Sequence, residues 1–168
     1  MGPKEAIAGE DDMQHRWIAL IIVSAISAVM PSASVDAQST ENPRLGKWKL
    51  KQDPPALNIM TYEPHGNGGM KVTVENTTAE GQKATWTYTT MFDGRDAPVS
   101  GDTRTETSAV RKIDARTNEI VNKRGGKVIQ VITNVISPDG NTINNTYRNY
   151  DDKGEVTSTT TAVYERIR

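Results

Sequence analysis

The chain has 168 residues, 24% of them charged, a formal net charge of −1, no cysteine and two histidines. That length suits one domain, and so even a charge balance gives no reason to expect nucleic acid as a partner. Without cysteine there can be no disulfide, thiolate metal site or thiol nucleophile, and two histidines are too few for a His-rich centre. No metal and no cofactor are expected.

Residues 17–30 (WIALIIVSAISAVM) form an uncharged run. It is shorter than the roughly 20 apolar residues of a membrane span but suits the apolar core of a signal peptide. His15 and Arg16 precede it, Pro31 follows, and small residues lead to Val35 and Ala37, placed as a cleavage site before Gln38. Residues 1–37 therefore read as a signal peptide cleaved after Ala37. The reading implies a secreted or periplasmic protein with no membrane span after cleavage. Residues 1–12 carry four acids against one lysine, the wrong sign for a signal's start, whereas Met13-Gln14-His15-Arg16 suits one. Met13 is the expected start, and residues 1–12 an extension before it.

From Gln38 onward there are 18 basic and 16 acidic residues, so the remainder is nearly neutral. That stretch holds 20 Thr, 10 Val and 8 Ile against 3 Leu. Branching at Cβ favours the pleated sheet over the helix. Residues 38–44 are expected to form a loose arm, and residues 45–168 a single domain. Candidate strands follow in order: 47–51, 58–63, 70–75, 84–92, a short 97–99, 105–114, 118–123, 127–137, 142–150 and 156–166. Between them recur turn signals such as Gly66-Asn67-Gly68-Gly69, Asp93-Gly94, Gly125-Gly126, Pro138-Asp139-Gly140-Asn141 and Asp152-Lys153-Gly154. Gly, Asn and Asp supply the positive φ that hairpin turns need. The expected fold is all-β: an up-and-down meander of eight to ten antiparallel strands, closed into a barrel so that no edge stays unpaired. A two-sheet β-sandwich is the alternative.

Alternation assigns side chains to faces. Trp86, Tyr88 and Phe92 share a phase, as do Met70, Val72 and Val74, Met60 and Tyr62, and Trp48 and Leu50. On the last strand Val156, Ser158, Thr160, Ala162 and Tyr164 form one set. The strand 127–137 is apolar on both faces.

Gly46-Lys47-Trp48 on the first strand resembles the Gly-x-Trp signature of lipocalins and fatty-acid-binding proteins, the calycin barrels. Thr161-Ala162-Val163-Tyr164-Glu165-Arg166 is similar to the closing strand of the fatty-acid-binding proteins. The stretch after Ala37 as a whole resembles small secreted bacterial lipocalin-like proteins. The resemblance implies a structural role for Gly46 and Trp48, the indole plugging one end beneath an arginine from a late strand, Arg148 or Arg166. It also implies an interior that takes an apolar ligand. Two features depart from the family. The arginine that anchors a fatty-acid carboxylate falls at Ala162, and the link Gln52 to Leu57 is too short for the usual helical lid.

Catalytic chemistry finds little support. His65 stands beside a glycine-rich turn with no positioned partner, the segment from Asp151 lacks the calcium-loop spacing, and there is no Gly-x-Ser-x-Gly elbow. The chain is not expected to be an enzyme. One reading is a barrel binding a small apolar or weakly polar ligand through Tyr62, Val72, Trp86, Tyr88, Ser158, Thr160 and Tyr164. The other is a filled barrel working through its outer surface, as an interaction protein or inhibitor. An interior volume of about 300 Å³ or more would favour the binder.

Overall fold

The computed structural model describes residues 42–52, 58–77, 81–101 and 104–168; the signal-peptide reading of residues 1–37 falls outside them. The described residues form ten antiparallel strands in one sheet: β1 (Gly46–Leu50), β2 (Asn58–His65), β3 (Gly69–Thr77), β4 (Lys83–Thr90), β5 (Asp93–Pro98), β6 (Thr107–Lys112), β7 (Thr117–Arg124), β8 (Lys127–Ile136), β9 (Thr142–Tyr150) and β10 (Val156–Ile167). Their spatial order is β4-β3-β2-β1-β10-β9-β8-β7-β6-β5. Every pairing joins strands consecutive in the chain except that of β1 with β10. The meander therefore curls into a nearly closed barrel, and the sandwich alternative is set aside.

The break in the ladder lies between β4 and β5. There the walls meet through one bridge, in which Thr87 and Ser100 exchange N–H···O bonds of 2.9 Å. Gly101 makes this approach feasible. Its φ is +96°, and a Cβ there would sit 2.1 Å from the Thr85 carbonyl oxygen, so only glycine fits without a backbone shift.

Strand ends follow the turn chemistry, with informative departures. Strand β4 stops at Thr90 rather than Phe92, because Phe92 turns the chain at φ 60° and its N–H is accepted by Thr90 Oγ1 at 2.9 Å. Asp93-Gly94, expected as the turn, instead opens β5, where the register slips between Asp93 and Asp96. One of the out-of-phase apolar residues of β8, Ile129, has a local cause, while Val131 and Val135 stay half-buried on the other face. A bulge pairs Asn122 with Gln130 but Lys123 with Val128, leaving Ile129 as the extra residue; local alternation is broken. The candidate calcium loop is a hairpin turn, with Asp151 Oδ1 accepting the N–H groups of Lys153 and Glu155 at 2.9 Å each.

One barrel end is closed by a packed core. Trp48, Ile136 and Ile143 are fully buried there. Trp48 on β1 pairs directly with Arg166 on β10, and the guanidinium lies 4.1 Å from the indole ring centroid, a cation–π stack. Arg166 also donates to the carbonyls of Gly140 at 2.9 Å and Leu45 at 2.7 Å. Gly46, at φ +119°, clears space for it, since a Cβ would lie 3.1 Å from a guanidinium nitrogen. Arg148, the other expected partner, is exposed on β9 opposite Thr159 and Val131, well away from the indole.

Residues 42–44, the described end of the expected arm, are fastened to the core. Arg44 is only 3% exposed. Its Nε donates to Asn134 Oδ1 at 2.8 Å, and its terminal nitrogen donates to the Arg116 carbonyl. Its own carbonyl accepts Trp48 Nε1–H at 2.8 Å. The arginine thus ties β8 and the β6–β7 turn to the tryptophan plug.

Candidate functional site

Above the plug the barrel encloses a cavity of about 610 Å³. Parity explains its two unlike walls. Inward positions on β2, β3 and β4 bring Met60, Tyr62, Val72, Val74, Trp86 and Tyr88 to one side. Inward positions on β6 to β10 are largely polar. Register stacks them in three rows: Asn118, Asn134, Asn145 and Ala162 nearest the plug; then Val110, Ile120, Ile132, Tyr147 and Thr160; then Ser108, Asn122, Gln130, Asn149 and Ser158. An apolar band capped by one Tyr and one Thr therefore lies between two amide rows, each step up a strand being two residues or about 6.8 Å.

The outer row is a continuous hydrogen-bonded ladder. Ser108 Oγ donates to Asn122 Oδ1 at 2.7 Å, Asn122 Nδ2 to Gln130 Oε1 at 3.0 Å, Gln130 Nε2 to Asn149 Oδ1 at 2.8 Å, and Asn149 Nδ2 to Ser158 Oγ at 2.9 Å. The inner row continues from Arg44: Asn134 Nδ2 donates to Asn145 Oδ1 at 2.8 Å, and Asn145 Nδ2 to the Tyr147 hydroxyl at 3.0 Å. The Tyr147 and Tyr164 hydroxyls then meet at 3.3 Å. Buried amides are stable here because each finds a partner. Across the barrel, Asn58 Oδ1 is buried without a hydrogen-bond partner among the described residues.

Of the side chains singled out for ligand contact, Tyr62, Val72, Trp86, Tyr88, Thr160 and Tyr164 line the cavity together. Ser158 does not; in phase with Thr160 and paired with Asn149, it stands at the exposed start of β10, and its hydroxyl ends the ladder. Ala162 lines the wall where the family resemblance places an anchoring arginine. Among the described lining residues Arg104 alone carries a charge; it is exposed, next to β6, and interacts with a partner of its own. His65 is exposed at the end of β2 beside the Gly66–Gly68 turn, at the plugged end. Alternation alone could have found the amide rows, since Asn122, Gln130, Asn145 and Asn149 occupy inward phases. Their polarity hid them, because polar residues in half-buried strands ordinarily face water.

Burial pushes the Tyr62, Tyr88 and Tyr164 phenols well above the ordinary tyrosine range, reinforced by the neighbouring phenols. Because the folded pKa values are raised, their contribution to stability is intact below the ordinary value of about 10 and is lost as pH climbs through the folded values. The urea midpoint should hold steady from neutrality to about pH 9 and fall above about pH 10. Tyr62→Phe should flatten that decline. An equally steep decline in this variant would place the alkaline sensitivity elsewhere.

No family model matches the chain, and no curated relative matches it. Among solved structures it is similar to the Schistosoma mansoni fatty acid binding protein in complex with arachidonic acid, with a TM-score of 0.52 and 19% identity. That match covers 75% of this chain and 97% of that one. A redesigned β barrel matches at a TM-score of 0.41 and 11% identity, covering 75% of this chain and 93% of that one. The first likeness shows a barrel fold of the fatty-acid-binding kind.

Proposed function

We propose that the protein is a secreted or periplasmic, lipocalin-like carrier that takes a small apolar or weakly polar molecule into its barrel, and that it is not an enzyme. The cavity carries this reading. At about 610 Å³ it is twice the volume at which an interior is roomy enough for a small ligand, about 300 Å³. A barrel of about eight strands can be filled by its own side chains; here ten strands form the wall, and the small Ala162 and Thr160 stand at inward positions. The arachidonic acid named with the Schistosoma mansoni protein makes an apolar chain a sensible first ligand. The missing arginine at Ala162 speaks for an uncharged one.

The test is to titrate an uncharged apolar fluorophore into the protein while following Trp86 emission, with Trp86→Phe as control. Saturable quenching that disappears in the control is expected. Absence of any binding would favour the filled barrel acting through its surface. Mass spectrometry of the exported protein should find a chain beginning at Gln38; retention of residues 13–37 would overturn the carrier's location.

A further inference from the structure

We propose that the ligand is a neutral amphiphile whose polar part carries several hydroxyl or carbonyl groups, read by the Ser108–Asn122–Gln130–Asn149–Ser158 ladder. This rests on the carrier reading and sharpens it. A primary amide offers two N–H donors and two acceptor lone pairs. Within the ladder each of Asn122, Gln130 and Asn149 uses one donor and one acceptor. Each therefore keeps one N–H and one lone pair. The ladder can also run in the opposite sense, because a serine closes both ends, and the same groups remain. Three adjacent strands about 4.8 Å apart thus present a row of uncharged donor–acceptor pairs, and Asn122, Gln130 and Asn149 all line the cavity.

Such a row fits hydroxyls best, since each hydroxyl can both give and accept a hydrogen bond. A carboxylate only accepts, and would leave the amide oxygens facing negative charge. The unpartnered Asn58 Oδ1, also on the cavity wall, asks for a donor from the same molecule. The apolar band between the amide rows, faced by Val72, Val74 and Trp86, supplies the space for a chain. The ligand's tail accordingly points toward Trp48 and its hydroxylated end toward the β7–β8 and β9–β10 turns.

The experiment displaces the bound fluorophore with three molecules of equal chain length: 1-decanoylglycerol, 1-decanol and decanoate. Two or three net hydrogen bonds of about 1 kcal/mol each correspond to about 30- to 150-fold, so decanoylglycerol should displace at a concentration at least tenfold below decanol. In the Asn122→Leu/Gln130→Leu/Asn149→Leu variant that gap, each displacement being read against the variant's own fluorophore affinity, should close. A single Gln130→Leu variant, which should narrow the gap, serves if the triple variant does not fold. Equal displacement by decanol and decanoylglycerol would overturn the proposal while leaving the carrier intact. So would a preference for decanoate; its loss in Arg104→Ala would assign the head-group contact to that arginine. Failure of the fluorophore itself to bind would instead reject the carrier.

Discussion

Replacing Trp48 with alanine should destabilise the barrel by about 3–5 kcal/mol, as truncation of a large core aromatic generally does. Three losses coincide. The indole is 0% exposed, so its removal opens a void at the packed end. Its N–H no longer satisfies the Arg44 carbonyl. The Arg166 guanidinium loses the ring over which it stacks, although it keeps its bonds to Gly140 and Leu45. Trp48→Phe separates these effects, since it retains a ring under the arginine and gives up the hydrogen bond. It should cost clearly less than Trp48→Ala in a urea titration. A loss below about 1 kcal/mol for the alanine variant, the range of surface changes, would mean that Trp48 is not a plug.

A comparable effect is expected at Asn134, which is 1% exposed. It stands between a buried cation and a buried amide, accepting from Arg44 Nε and donating to Asn145 Oδ1. Leucine fills the volume but orphans both neighbours. Each buried unsatisfied group costs about 1–3 kcal/mol, and more when charged, so Asn134→Leu should cost roughly 3–5 kcal/mol. Aspartate should be far milder. Its carboxylate faces the Arg44 guanidinium directly, and the rest of the row can reverse. Asn145 turns its amide to donate to the new carboxylate, Tyr147 donates to Asn145, and Tyr164 donates to Tyr147. A urea midpoint for Asn134→Asp closer to the parent than to Asn134→Leu would bear this out. Equal losses would show that the row cannot reverse.

The strand ladder was readable because two local signals agree: alternation within segments and Gly, Asn or Asp at their ends. The aromatic wall was readable for the same reason, Tyr62, Val72, Trp86 and Tyr88 having a common parity on adjacent hairpins. Arg166 became distinguishable from Arg148 only through the pairing of β1 with β10, which no local pattern encodes. Arg44 looked like part of a loose arm because nothing next to it in sequence signals burial; its partners, Asn134 and the Arg116 carbonyl, come from far along the chain. A bulge and a strand end account for the remaining differences. The bulge turned Ile129 off its phase on β8, whereas Ser158 keeps its phase but stands at the exposed start of β10, where it ends a ladder rather than lining the cavity.

The pairing of β1 with β10 also bears on how the molecule assembles. Every other ladder joins strands consecutive in the chain and can form as a hairpin, whereas Trp48 and Arg166 come from opposite ends of the described chain. Such a distant contact bears a large loop-closure entropy and slows folding. The tryptophan plug is therefore expected to seal late, and a chain lacking β10 keeps seven hairpin ladders with no lid on their shared core. Were the chain ends moved to the break between β4 and β5, with residue 168 linked to residue 42, all nine ladders would become local. The native arrangement instead leaves closure to the one long-range pairing.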